Sequence, residues 1–432
     1  MRIGKTAMAL AGSASLVALL AGCGSSGSNN SSSGPVNITY ATFVVTRYPL
    51  LQKYVNKFNQ AHKGKIHVTL EHEPGSNAML TKLLSELQAG TAPQLVEQYG
   101  VYTPQLQSKG AIVPINSFIK KSHYSLQGFY PDEIQGATID GKLWGLSIDG
   151  GPENLAIYYN KKLFEKYHVP FPTANWTWAQ MLADAQKLNH PTQKEYGFLT
   201  FLGQTEGVST RFYTWLWNAG GQLMNTSNTK AAFNSPAGLK ALTMVSDLAK
   251  YSDVVARSEY EAAFQSGHVA MSEAGGWNIG TFTQAKLDYA VAPLPAMTPN
   301  GTRWTSAGPD YNLITKSTPA QEQAAWTFLQ YLESPQLAAA MSADGNAPWR
   351  QISASQYPQY AATLKQYPQV GQEVAAQAHW QKLPPSFPNY SQMSLQVATM
   401  VESVLLNKMT PKQALAHYAQ LATQAASGGS NP

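Results

Sequence analysis

Between Val36 and Tyr99 the chain alternates strand-like and helix-like patterns, and that alternation restricts the fold more than any other feature. Val36–Val44 reads as a strand, and Pro49–His62 carries Leu50, Leu51, Tyr54, Val55 and Phe58 at helical spacing. Ile66–Glu71 alternates apolar and polar residues as a half-buried strand does. Ala78–Ala89 reads as a helix stopped by Gly90, and Gln94–Tyr99 returns as a strand. This β-α-β-α-β order implies a mostly parallel sheet with right-handed crossovers. Ligands of such sheets sit beyond the carboxyl ends of the strands. The loops after Val45 and Tyr99 are therefore the first places to look for a site.

The residues ahead of that sheet do not belong to it. Arg2 and Lys5 form a positive start, and the apolar stretch Ala7–Leu20 falls short of the roughly 20 residues a membrane span needs. Leu20-Ala21-Gly22-Cys23 resembles a bacterial lipoprotein box. The resemblance implies that Cys23 takes a diacylglycerol on its thiol and becomes the first residue after cleavage. Cys23 is the one cysteine of 432 residues, which argues against a disulfide framework or a multi-cysteine metal site. Residues 24–35, GSSGSNNSSSGP, read as a flexible tether. The expectation is an extracytoplasmic protein, lipid-anchored on the outer face of the cell membrane.

Composition excludes further classes. Lys+Arg of 30 against Asp+Glu of 25, with no basic block, argues against nucleic acid. Only 13% of residues are charged, which suggests tolerance of acid, since few carboxylates lose their charge as pH falls. The nine histidines form no His-x-x-His or His-Glu-x-x-His pattern, and no Gly-rich phosphate loop or Gly-x-Ser-x-Gly elbow occurs. No metal, cofactor or catalytic residue is expected.

Seven further segments follow in a set order. They include Asp140-Gly141-Lys142-Leu143-Trp144-Gly145-Leu146 and Tyr159-Asn160-Lys161-Lys162-Leu163-Phe164. Phe264, Gly267, Ala270, Met271, Gly275 and Trp277 form another, before Ala292–Pro295 and Ala325–Pro335. In this order they resemble the family 1 extracellular solute-binding proteins of carbohydrate ABC importers, over roughly residues 36–425. Residues 89–99, 110–115 and 382–405 are similar to the glycerol-3-phosphate and glycerophosphodiester binders within that family. Two positions depart from that subgroup: no arginine stands in Pro388–Gln396, and Gly100 replaces an acidic ligand-binding residue.

The resemblance implies an α/β fold of two lobes, of the type II or maltose-binding-protein-like kind. Each lobe would be a mostly parallel sheet flanked by helices, on either side of a hinged cleft. Expected boundaries are 36–148 plus 307–348 for the first lobe and 149–306 plus 349–432 for the second. The implied function is capture of a mono- to oligosaccharide and delivery to a two-subunit permease with its cytoplasmic ATPase, by a monomer that is not an enzyme. A glycerol phosphate binder of the same importer class is the alternative. A lipid-anchored glycoside hydrolase, with two carboxylates about 5–10 Å apart, is less favoured, as is a surface protein binding insoluble polysaccharide.

Sugar recognition needs aromatic faces against the C–H surface of the ring and planar polar groups for the hydroxyls. Trp277 is the leading stacking candidate, because the family places the aromatic of its Gly-x-Trp segment in the cleft. Asp149 and Glu153 lie where the chain would first cross between lobes, Asp310 and Tyr311 at the second crossing, Trp349 and Arg350 at the last. Phe43 and Tyr99 end predicted strands. Trp215 and Trp217 are two residues apart, so at most one of them would face a ligand if the segment is helical.

Overall fold

The chain divides into two units, residues 1–34 and residues 35–432, and the second carries the fold. The computed structural model describes residues 34–428, apart from 45–46, 74, 130, 148–154, 307, 343–357 and 378–380. The first elements are β1 (Val36–Thr42), α1 (Tyr48–Ala61), β2 (Ile66–His72), α2 (Ser76–Ala89) and β3 (Leu95–Tyr99). Each predicted element is present, with ends shifted by one or two residues. Leu51, Val55 and Phe58 are the buried stripe of α1, at the spacing that places them on one helical face.

Next come β4 (Gly145–Ser147), β5 (Ala156–Asn160), α3 (Trp178–Lys187), β6 (Phe198–Leu202), α4 (Glu206–Asn218) and α5 (Pro236–Ala249). They are followed by β7 (Ser252–Ala256), β8 (Met271–Ala274), β9 (Tyr289–Ala292), β10 (Asp310–Ile314) and α6 (Pro319–Leu332). The long helices α7 (Tyr390–Leu405) and α8 (Pro411–Ala426) come last. Local signals start three of these helices: Thr177, Thr318 and Thr410 each form a capping box with a glutamine three residues on. Among the described residues no helix is long and apolar enough to cross a membrane.

Two five-stranded sheets organise the molecule, ordered β2-β1-β3-β10-β4 and β9-β5-β8-β6-β7. In the first, β2, β1 and β3 are parallel and β10 runs against both β3 and β4. In the second, β8, β6 and β7 are parallel and β5 runs against both β8 and β9. Each sheet thus has four strands in one direction and one reversed. The reversed strand is in each case the first that the chain enters after leaving the other sheet. Consequently, the carboxyl ends of four strands and the amino end of the fifth share one edge of each sheet.

Both sheets are covered by apolar side chains. On the first, Phe58 of α1 meets Phe328 of α6 edge-on with ring centroids 4.9 Å apart, and Tyr40 of β1 packs on Phe328 at 5.7 Å. On the second, Tyr158 of β5 stacks on Tyr289 of β9 at 5.9 Å. The start of β6 lies hard against α3: a Cβ at Gly197 would stand 1.9 Å from the carbonyl oxygen of Ala185 and 2.8 Å from its Cα. Backbone cannot yield as a side chain does. Gly197→Ala is expected to destabilise the protein by about 3 kcal/mol, the upper range of overpacking, as measured by denaturant midpoint. An unchanged midpoint would show that β6 and α3 separate freely.

Candidate functional site

The two shared sheet edges carry the polar and aromatic groups of the site. At the first edge Tyr99, the last residue of β3, pairs with Asp310, the first of β10, and Ser147 at the end of β4 pairs with Tyr311. Phe43 follows β1, and its ring lies 5.1 Å from that of Tyr99, both half-buried. Gly100 donates its N–H to the Pro309 carbonyl at 3.0 Å. A Cβ at Gly100 would stand 2.6 Å from the Tyr311 ring and 2.8 Å from the Pro309 oxygen. The acidic side chain expected there from the glycerol phosphate binders has no room, because Tyr311 fills the space.

A buried ionic group supports this edge. The Arg47 guanidinium lies 2.8 Å from one Glu97 carboxylate oxygen, and Thr42 donates its hydroxyl to the other. Asp310 lies 4.0 Å from the same guanidinium nitrogen. All four residues are buried. The expectation that Asp310 and Tyr311 face a ligand is therefore revised. Asp310 belongs to this ionic group, and Tyr311 donates its hydroxyl to the Glu133 carbonyl at 2.8 Å with its ring buried beside Gly100 and Gly136.

At the second edge, Trp277 follows β8 and is half-buried. Its indole lies over Gly275, where a Cβ would meet ring carbons at 2.0–2.5 Å. Glycine is thus required at 275 for Trp277 to hold this position. The Glu273 backbone carbonyl accepts from Arg211 at 2.7 Å and from the Tyr260 hydroxyl at 2.6 Å. Arg211 and Arg257 both lie over the Phe201 and Tyr260 rings, at 4.7–5.9 Å, and Arg257 also pairs with Glu261 at 2.8 Å. Burial pushes the Glu273 carboxyl up to about 7, against the opposing pull of Arg211 and the Trp215 indole.

Glu206, the first residue of α4, joins the two edges. Its backbone N–H donates to Asn77 Oδ1 of α2 at 3.2 Å, and its carboxylate accepts from Tyr102, just beyond β3, at 3.4 Å. Tyr390 and Ser394 of α7 donate to the same carboxylate. Burial raises its proton affinity, and the hydroxyls of Ser394, Tyr390, Tyr102 and Thr210 oppose that shift.

Trp215 and Trp217 are both buried. Trp215 packs edge-on against Trp178 at 5.2 Å, and Lys382 lies over the Trp217 ring at 5.2 Å. Helix α4 packs against both α5 and α7, and its Arg211 lies over the Phe201 ring of the second sheet. An internal cavity of about 30 Å³ beneath the second sheet is lined by Thr200, Arg211, Trp215 and Glu273, among others. It has room for a water or two and none for a sugar. Among the described residues no group of three or more His, Cys, Asp or Glu side chains could hold a metal.

Of the sequence candidates, Phe43, Tyr99 and Trp277 lie at the two edges. Asp149, Glu153, Trp349, Arg350 and Cys23 lie outside the described residues. Asn77, Tyr102, Glu206 and Arg257 were missed. Glu206 and Arg257 stand beyond strands of the second sheet that the sequence reading did not assign, so the rule that ligands gather at strand ends could not reach them.

A family model described as bacterial extracellular solute-binding protein matches residues 53–372. A binding protein of Brucella abortus (strain 2308) is 26% identical over 312 residues, 70% of this chain and 73% of that one. The sn-glycerol-3-phosphate-binding periplasmic protein of Pectobacterium atrosepticum is 23% identical over 405 residues, 83% of this chain and 84% of that one. The crystal structure of an ABC transporter solute-binding protein from Thermotoga lettingae, bound with alpha-D-tagatose, superimposes with a TM-score of 0.78 at 25% identity. That superposition covers 91% of this chain and 100% of the other.

Proposed function

The chain belongs to the bacterial extracellular solute-binding proteins, and from that premise we propose that it captures a sugar between its two sheet edges and delivers it to an ABC importer. Its fold is the two-lobed, maltose-binding-protein-like fold of sugar-binding relatives. The observation that carries the reading is the pairing of two edges with complementary contents: Phe43 and Tyr99 on one, Trp277 and Arg257 on the other. Aromatic faces take the C–H surface of a pyranose, and a guanidinium takes paired hydroxyls. The lobes are 36–148 plus 307–348 and 149–306 plus 349–432. The protein acts as a monomer with no catalytic step, tethered outside the cell through a lipid on Cys23.

Glycerol phosphate is the second reading, supported by the Pectobacterium relative. It is disfavoured because no arginine stands in Pro388–Gln396 and because Gly100 replaces the acidic residue of that subgroup.

A thermal-shift screen of the purified protein against sugars, polyols and glycerol phosphates tests this. A ligand at 100 times its dissociation constant stabilises by about 2.7 kcal/mol, a shift of a few degrees. A sugar recovered intact supports capture, a response confined to glycerol phosphates supports the second reading, and a sugar converted to product makes the protein an enzyme. Trp277→Ala is expected to weaken sugar binding about tenfold by calorimetry, the scale of a lost aromatic contact in a closed site. Unchanged affinity would make Trp277 a packing residue.

A further inference from the structure

Helix α4 begins in an unusual way. The first N–H groups of a helix have no partner within it, and the residue before the helix normally supplies one through its side chain. Thr205 occupies that place, yet it makes no side-chain cap, and its hydroxyl is buried with no hydrogen-bond partner. The Glu206 N–H is satisfied instead by Asn77, from a helix that packs on the other sheet. The Glu206 carboxylate faces both ways as well. Tyr390 and Ser394 reach it from α7, which is fastened to α4 because Ser209 donates to the Ser394 carbonyl at 2.8 Å. Tyr102 reaches it from beyond β3 of the first sheet.

We propose that Glu206 is a positioning residue for cleft closure, held by Asn77 and Tyr102 across the two lobes when the cleft is closed and released from both when it opens. This inference rests on the two-lobed capture reading. Any motion that separates the two sheet edges breaks the Asn77 and Tyr102 hydrogen bonds. The bonds from Tyr390 and Ser394 survive it, because α7 travels with α4. Thr205 offers no substitute, since its side chain makes no cap and its carbonyl is already engaged by the Val208 and Ser209 N–H groups, so the Glu206 N–H loses its partner once Asn77 withdraws. The closed state is thus favoured by a cap lent from the opposite lobe, acting beside the Ser391–Gln105 hydrogen bond at 2.7 Å and the Tyr102–Tyr390 ring contact at 6.2 Å, which also join α7 to the first lobe.

The test uses ligand-free protein with Cys23→Ser, and spin labels on cysteines placed at exposed Lys53 of α1 and Lys240 of α5. Electron–electron distance measurements on this protein are expected to show a short-distance, closed population. Asn77→Ala and Tyr102→Phe should each reduce that population about threefold, the effect of a lost cap or hydroxyl contact on a two-state equilibrium. Tyr213→Phe is the control. It removes a hydroxyl that donates to Ser394 at 3.1 Å and accepts from Tyr390 at 3.3 Å, both on α7, and touches nothing of the first lobe among its hydrogen bonds, so it should lower the melting temperature and leave the distances unchanged. The proposal is overturned by the absence of a closed population in the parent, by unchanged distances in both cross-lobe variants, or by equal widening in the control. Because no ligand is present, the result stands whether or not the sugar reading holds.

Discussion

Replacing Glu273 with glutamine is expected to stabilise the protein at pH 8 and to leave its stability almost unchanged at pH 4. The buried carboxyl is raised from 4.5 to about 7, chiefly by loss of hydration. In the unfolded chain the same group ionises near its ordinary value, so between those two values the native state holds a proton that the unfolded state has released. Stability from this group is fully present below about 4.5 and falls as pH rises through 7. A shift from 4.5 to about 7, at 1.36 kcal/mol per pKa unit, corresponds to about 3 kcal/mol lost above pH 7. Glutamine removes that loss and keeps an oxygen for the Trp215 indole. Arg211 remains held by the Glu273 backbone carbonyl and by the Phe201 and Tyr260 rings. Melting temperatures of both proteins from pH 4 to pH 8 should diverge upward. A constant offset would mean that packing, not ionisation, separates them.

Arg47→Met should have the opposite sign and a comparable or larger size. The guanidinium is the charge that both Glu97 and Asp310 face, and all three side chains are buried. Removing one member of a buried ion pair strands the other in a poorly hydrated place, at a cost of about 3–5 kcal/mol. Denaturant titration at pH 7 measures it. Adding Glu97→Gln to Arg47→Met should restore part of the lost stability, because the stranded charge is then neutral. If the double variant is less stable than the single by the full cost of a second independent change, the two groups do not interact and the ionic support of the first edge is refuted.

Much of the scaffold was legible from residue pattern alone. Leu51, Val55 and Phe58 announced α1, and the alternation of Ile66–Glu71 announced β2, because burial of one face imposes a fixed period on the sequence. The threonine–glutamine boxes at the starts of α3, α6 and α8 are equally local. The sheet edges were legible too, and Phe43, Tyr99 and Trp277, chosen from strand ends and the family segments, lie at those edges.

The misreadings share one cause. Trp215 is an aromatic beside a predicted cleft in sequence, yet it is buried against Trp178, on a helix that α5 and α7 pack upon. Tyr311 follows a crossing segment, yet the space left by Gly100 and Gly136 draws its ring inward. Nothing in either neighbourhood of sequence records what packs against it.

What the sequence determined by itself was the first five elements, from Val36 to Tyr99, and their parallel arrangement. These depend on periodicity, capping and chain connectivity, which are properties of residues close together along the chain. The tertiary structure decided which of the many aromatic and acidic residues are buried, and it joined Asn77 to Glu206 over 129 positions and Tyr102 to the same residue over 104. Such contacts form only when two separately folded sheets meet, so the partner of a cap or a carboxylate is set by how the lobes close and not by its neighbours in the chain.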